Sequence, residues 1–205
     1  PQNITISWIK PDENYRTIVE KIGYAPELYL YPDGDYYNAS WLSYPDGNDH
    51  YTYVNETVEY SDEDATYVYT DSSNYGYESF NIENTTKNGI ITLVGCMVAG
   101  KSSTSDDLMV QIYDPVRDVF EESDIMLGDY WSYYMAFQYE NRPGGGAWTW
   151  EDINNSVIRF NSQTIYGDGT NIQISQVILL VWYTPIDVIY NDTGTEVIDQ
   201  VEPGE

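Results

Sequence analysis

Residues 172–183 read Ile-Gln-Ile-Ser-Gln-Val-Ile-Leu-Leu-Val-Trp-Tyr, with no Gly, no Pro and no charged side chain. β-Branched and aromatic residues favour a pleated strand here over a helix. Strand alternation sends Val177, Leu179, Val181 and Tyr183 to one face and Gln176, Ile178, Leu180 and Trp182 to the other. The first set is a core face. Three of the second four are also large and apolar, so the strand must be covered on both sides, by the chain's own tails or by another subunit.

Working outward, similar strand-like runs recur: Ile4 to Ile9, Leu28 to Tyr31, Tyr51 to Val54, Thr66 to Thr70, Phe80 to Ile82, Ile90 to Val98, Leu108 to Tyr113, Tyr130 to Tyr139 and Val157 to Phe160. Between them, Tyr31-Pro-Asp-Gly34 and Tyr44-Pro-Asp-Gly47 read as tight turns, because proline pre-sets one turn angle and glycine accepts the next. Many short strands with almost no helical periodicity predict an all-β fold, a jelly-roll-like antiparallel β-sandwich.

One short helical turn interrupts this pattern. In Arg142-Pro-Gly-Gly-Gly-Ala-Trp-Thr-Trp-Glu-Asp-Ile-Asn154, Thr149 and Asp152 have capping-box spacing, and Trp148 and Ile153 sit at staple positions. The spacing predicts helix from Trp150 to Asn154. The glycines do not read as a phosphate cradle, since Glu151 and Asp152 occupy the first turn and no long helix follows.

Composition narrows function. The 205 residues suit one domain with appended segments, and 34 acidic against 8 basic side chains give a formal charge of -26. Such a surface repels nucleic acid and anionic bilayers. No apolar run reaches the ~20 residues that a membrane-spanning helix needs. The single cysteine, Cys96, lies in an apolar run and reads as a small buried hydrophobe. His50, the one histidine, reads as a surface loop residue, so Cys-His pairs, Ser-His-Asp triads and multi-histidine zinc sites are not expected. With so many acids, pairs such as Glu121-Glu122 or Asp106-Asp107 read as solvated turn charges, and no catalytic residue is nominated. Calcium is the one cofactor for which ligands are on offer: Asp33, Asp35, Asp46 and Asp49, with Asn48 and the run 62–64, supply hard oxygens near turns, though without EF-hand spacing.

Six sequons, at Asn3, Asn38, Asn55, Asn84, Asn154 and Asn191, stand where composition predicts about two. They point to export, covalent N-glycans and an extracellular or virion-surface location, and Pro1 reads as the start of a processed chain.

The ordered series Glu27-Leu-Tyr-Leu-Tyr-Pro-Asp-Gly-Asp35, Trp41, Tyr53-Val-Asn-Glu56, Ser61 to Val68, Tyr77-Glu-Ser-Phe80, Ala147 to Asn154 and Ile174 to Tyr183 resembles a β-sandwich domain of tailed-virus structural proteins and of prokaryotic, including archaeal, surface and appendage proteins. The resemblance implies a non-enzymatic module of a virion or appendage. It divides the chain into an N-terminal arm (1–26), the sandwich (27–185) and an acidic tail (186–205). Ile4, Ile6 and Trp8 alternate as an additional strand able to close its own domain's edge or to complete a neighbour's sheet as a donor strand. The expected function is then a structural subunit that polymerises with itself through Ile4, Ile6 and Trp8 and through Ile178, Leu180 and Trp182. The alternative is a carbohydrate-binding module for host or environmental glycans, with Trp131, Tyr133, Tyr134, Trp148 and Trp150 as its aromatic platform. Core packing is the competing role for those rings.

Overall fold

A computed structural model describes residues 28–37, 41–57, 64–70, 76–103, 107–162 and 172–185 in full, and the backbone alone at 38, 189–190 and 196–197. The first strands are β1 (Leu28–Leu30), β2 (Pro32–Asn38), β3 (Leu42–Tyr44), β4 (Tyr67–Tyr69), β5 (Tyr77–Ile82) and β6 (Ile90–Ser102). They are followed by β7 (Asp107–Asp114), β8 (Val119–Met126), β9 (Ser132–Tyr139), β10 (Val157–Asn161) and β11 (Ile172–Thr184). A small ladder, β12 (Ile189–Tyr190) with β13 (Glu196–Val197), falls within the segment expected to be a plain acidic tail.

Two antiparallel sheets form the body. One runs β3-β4-β11-β6-β9, with β1 also paired to β11, and the other runs β2-β5-β10-β7-β8. From β1 to β11 the chain changes sheet at every step except between β3 and β4 and between β7 and β8. Repeated crossing of this kind, with antiparallel neighbours throughout, is the jelly-roll sandwich that the strand pattern predicts.

Several local readings change. Pro32-Asp-Gly34 is not a hairpin turn but the corner where the chain leaves β1 in one sheet and enters β2 in the other, with a register shift between Pro32 and Gly34. Proline tolerates the first position of a strand and glycine a bulge, so the same residues that signal a turn also suit a corner. Residues 50–53 form a single 3-10 turn rather than a strand. Its cause is Asp35, whose two carboxylate oxygens accept the backbone N–H groups of His50 (2.9 Å) and Tyr51 (2.7 Å) and so hold the chain in a turn. Glu121 and Glu122 are strand residues of β8, an edge strand exposed along most of its length. Their acidity hid the strand in the sequence.

The helix α1 (Trp150–Asn154) stands as expected. Thr149 Oγ1 accepts the Asp152 N–H at 3.1 Å, and Asp152 Oδ2 accepts the Thr149 N–H at 2.9 Å. Ahead of it Gly144, Gly145 and Gly146 have φ of +77°, +90° and +91°, a left-handed run that side chains disfavour. The turn is closed by Arg142 and Gly146 (3.0 Å) and by Gly145 and Arg142 (2.8 Å).

The core lies between the sheets. From β11 come Ile172, Ile174, Val177, Leu179 and Val181, and a bulge between Ile174 and Gln176 keeps both halves of the strand in phase with the core. From the facing sheet come Phe80, Leu108, Val110, Ile112, Ile158 and Phe160. Phe160 is fully buried, its ring 5.8 Å from Trp41 and 6.0 Å from Phe80. Truncating it by Phe160→Ala is expected to cost about 3–5 kcal/mol. Urea unfolding followed by far-ultraviolet circular dichroism measures this, and an unshifted midpoint would show that the two sheets do not depend on that contact.

Candidate functional site

Three of the five rings nominated for a platform belong to the scaffold. Trp148 is buried and its indole N–H donates to the Tyr139 carbonyl at 3.0 Å. Trp150 donates to the Gly89 carbonyl at 2.9 Å and meets Tyr183 edge-on at 5.0 Å. The Tyr134 hydroxyl accepts the Gly128 N–H at 2.8 Å. Trp131 and Tyr133 lie outside the core, but the faces of Trp131 are engaged by its neighbours: Lys101 Nζ sits 4.6 Å over the ring and Tyr67 lies 6.1 Å away. Tyr67 in turn stacks on Tyr44 at 5.2 Å.

The outer face of the five-stranded sheet is different. Alternation sends Phe80, Ile158, Phe160, Val110 and Ile112 inward, so their neighbours point out. The register aligns Tyr37, Ser79, Arg159, Gln111 and Glu122 in one row across all five strands. A parallel row on one side carries Asn81, Val157, Tyr113 and Phe120, and one on the other carries Tyr77, Asn161, Met109 and Asp124. Tyr36, Tyr37, Tyr77 and Phe120 are exposed, Tyr37 and Phe120 by 58% and 48%. Arg159 is the centre: its guanidinium carbon lies 4.1 Å over the Tyr113 ring and 5.3 Å over that of Tyr77. Tyr36 meets Tyr113 edge-on at 6.1 Å. The Tyr113 hydroxyl donates to Asp118 at 2.9 Å, and Gln111 Nε2 donates to Glu122 at 2.8 Å.

Sequence reasoning missed this face because its rings come from four strands and are paired only by register. The signal was present in the alternation of β5 and β10, where Tyr77, Ser79 and Asn81 and then Arg159 and Asn161 alternate with the inward Glu78, Phe80, Ile82, Ile158 and Phe160.

Beneath the β2-β5 end of the same sheet lies a buried, hydrogen-bonded His-Glu pair. Glu78 points inward opposite Phe160, and His50 Nδ1 lies 3.2 Å from its Oε2. His50 is therefore not a surface residue: it is 6% exposed. Asp35 brings it there by holding the 3-10 turn. The hydrogen bond to Glu78 raises the His50 pKa above its ordinary value, and burial raises that of Glu78.

The remaining nominated residues are dispersed. Asp33, Asp46 and Asp49 are exposed, Asp35 is committed to the turn, and among the described residues no group of three or more His, Cys, Asp or Glu side chains converges to hold a metal. Cys96 is fully buried, and burial pushes its thiol far up, which makes it inert. Ile178, Leu180 and Trp182 are buried at 0%, 3% and 8% within the single chain, clustered with Tyr31, Leu93 and Met97. Gln176 Nε2 donates to the Glu56 and Thr57 carbonyls, each at 2.7 Å. Ile4, Ile6, Trp8, Asn3 and Asn191 lie outside the described residues, as does the side chain of Asn38. Asn55 and Asn84 are exposed. Asn154 is tied to the backbone of Thr85 by both ends of its amide, at 2.8 and 3.2 Å.

No family model and no curated protein matches the chain. Among solved structures it is similar to a chain described as BiXyn10A CBM1, apo, with a TM-score of 0.39 and 14% identity over 77% of this chain and 99% of that one. Similarity at that level carries no argument about function.

The buried pair makes stability depend on pH, and both groups act in the same direction. Each has a raised folded pKa, so its contribution is complete below the unfolded value, 6.5 for His50 and 4.5 for Glu78, and is lost as pH rises through the folded one. Thermal melts are expected to show Tm falling from pH 5 to pH 8, by roughly 2–4 °C per kcal/mol lost. Glu78→Gln, which removes the buried carboxyl and with it the partner that raises His50, should flatten this slope; a variant as steep as the wild type would assign the slope to the chain's overall negative charge instead.

Proposed function

We propose that the chain is a carbohydrate-binding β-sandwich, exported and without catalysis of its own, that takes a glycan on the outer face of its five-stranded sheet. The observation that carries this reading is the cluster Tyr36, Tyr37, Tyr77, Tyr113 and Phe120 arranged around the polar row through Arg159. Pyranose rings offer C–H faces that stack on aromatic rings and a perimeter of hydroxyls that need fixed polar partners. Both are supplied here, on rigid strands rather than on loops. Five strands give a track roughly 19 Å across, enough for several sugar units. Tyr37 on one edge strand and Phe120 on the other, in adjacent rows, suit a chain laid across the strands. Export is supported by the excess of sequons, two of which, at Asn55 and Asn84, present exposed side chains.

A homopolymer subunit is the second reading. Exposed Met126, Tyr130, Tyr133 and Met135 favour it, since large apolar groups grouped around β8 and β9 suit a contact with another copy. The face of Ile178, Leu180 and Trp182 supports it less, being already occupied within the chain.

A glycan array followed by affinity electrophoresis on the hits tests the first reading. Tyr37→Ala and Phe120→Ala are each expected to weaken binding roughly tenfold, about 1.4 kcal/mol, while Trp131→Ala leaves it unchanged. Absence of any glycan hit together with sedimentation as a large polymer would replace the first reading with the second.

A further inference from the structure

We infer that this face selects a glycan bearing an isolated carboxylate, a uronate unit in an otherwise neutral chain, and that the Arg159 guanidinium reads it. The inference rests on the carbohydrate-binding reading above and adds the class of sugar.

Charge supplies the first argument. The chain carries 34 acidic and 8 basic side chains, so a cation here has carboxylates to spare. Lys101 pairs with Asp64, and Arg117 pairs with Asp114 and Asp152. Yet among the described residues no carboxylate pairs with Arg159, whose contacts are the rings of Tyr77 and Tyr113. Stacking engages the flat faces of a guanidinium and leaves its in-plane N–H donors free. Those donors form a planar fork that matches a carboxylate bidentately. Held between two rings, the fork is oriented before any ligand arrives.

The second argument is independent of charge. Ser79 Oγ and Gln111 Oε1, which flank Arg159 in the same cross-strand row, are both sealed from solvent without a hydrogen-bond partner. Unpartnered buried polar atoms are few in folded proteins. Two of them side by side with an unpaired guanidinium make a polar site of one donor-acceptor, one acceptor and one fork. A sugar unit with a carboxylate and adjacent hydroxyls satisfies all three.

The number of charges follows from the rim. Glu122 lies next to Gln111 in the row, and Asp118 accepts from Tyr113. A densely charged polyuronate would meet these acids and the overall charge of -26, whereas a single carboxylate meets Arg159 alone.

Chemical-shift titration of the full 15N-labelled chain with sodium glucuronate, glucose and sodium acetate tests the inference. Glucuronate should move the amides of Ser79, Gln111 and Arg159 and bind roughly tenfold more tightly than either glucose or acetate. Arg159→Gln should erase the difference between glucuronate and glucose. Arg159→Lys, which keeps the charge without the fork, should lose most of it. Equal binding of glucuronate and glucose to the wild type would overturn the inference and leave the carbohydrate-binding reading standing. No response to either sugar would overturn both. Acetate binding as tightly as glucuronate, or full selectivity in either variant, would also overturn it.

Discussion

The requirement that β11 be buried on both faces organises the molecule. On its inner face Ile172, Ile174, Val177, Leu179 and Val181 join the core between the sheets. On its outer face Ile178, Leu180 and Trp182 form a second cluster with Tyr31, Leu93 and Met97. Its backbone is paired along most of its length, to β6 on one side and to β1 and β4 on the other. One outer face of the sandwich is thus partly closed. On the other, that of the five-stranded sheet, the rings and Arg159 collect, with Tyr36, Tyr37, Tyr77 and Phe120 exposed and Ser79 and Gln111 buried among them.

Much of the fold was legible in the sequence because the relevant signals are local. The alternation of residues 177–183 places each side chain correctly, and Thr149 with Asp152 marks α1. What was not legible depends on partners distant in the chain. His50 looks like a polar turn residue until Glu78, 28 positions on, is seen to lie against it. Pro32-Asp-Gly34 satisfies the rules for a turn and for a strand corner alike, and only the pairing of β2 with β5 decides between them. β8 carries three acids in eight residues, an edge strand's composition, which resembles a loop. The candidate face is hardest of all to foresee, because strand order rather than strand content brings Arg159 between Tyr77 and Tyr113.

The few cations are placed with economy. Arg117 and Arg142 approach Asp152, so the carboxylate that caps α1 is also the anchor for two basic side chains. Burial would raise the Asp152 pKa, but its bonds to Thr149 and Arg117 outweigh that and hold it below the ordinary carboxylate value. Lys101 lies over Trp131 and reaches Asp64. These cations knit the scaffold together. Arg159 is held by rings instead, and its charge stays available to something outside the chain.

Tryptophan and tyrosine are segregated in a way that matters for how this protein is observed. Trp41, Trp148 and Trp182 are buried, Trp150 is packed against Tyr183, and Trp131 sits on the six-stranded sheet beside Lys101. The open face of the other sheet is lined by tyrosines and Phe120. Emission from the five described tryptophans therefore reports whether the sandwich is intact and is nearly blind to what rests on that face. Occupancy will be visible in tyrosine emission quenched at the face, or in energy transfer from those tyrosines to Trp41 behind Phe160. A null result in a routine fluorescence titration would thus describe the position of the chromophores rather than the absence of a ligand.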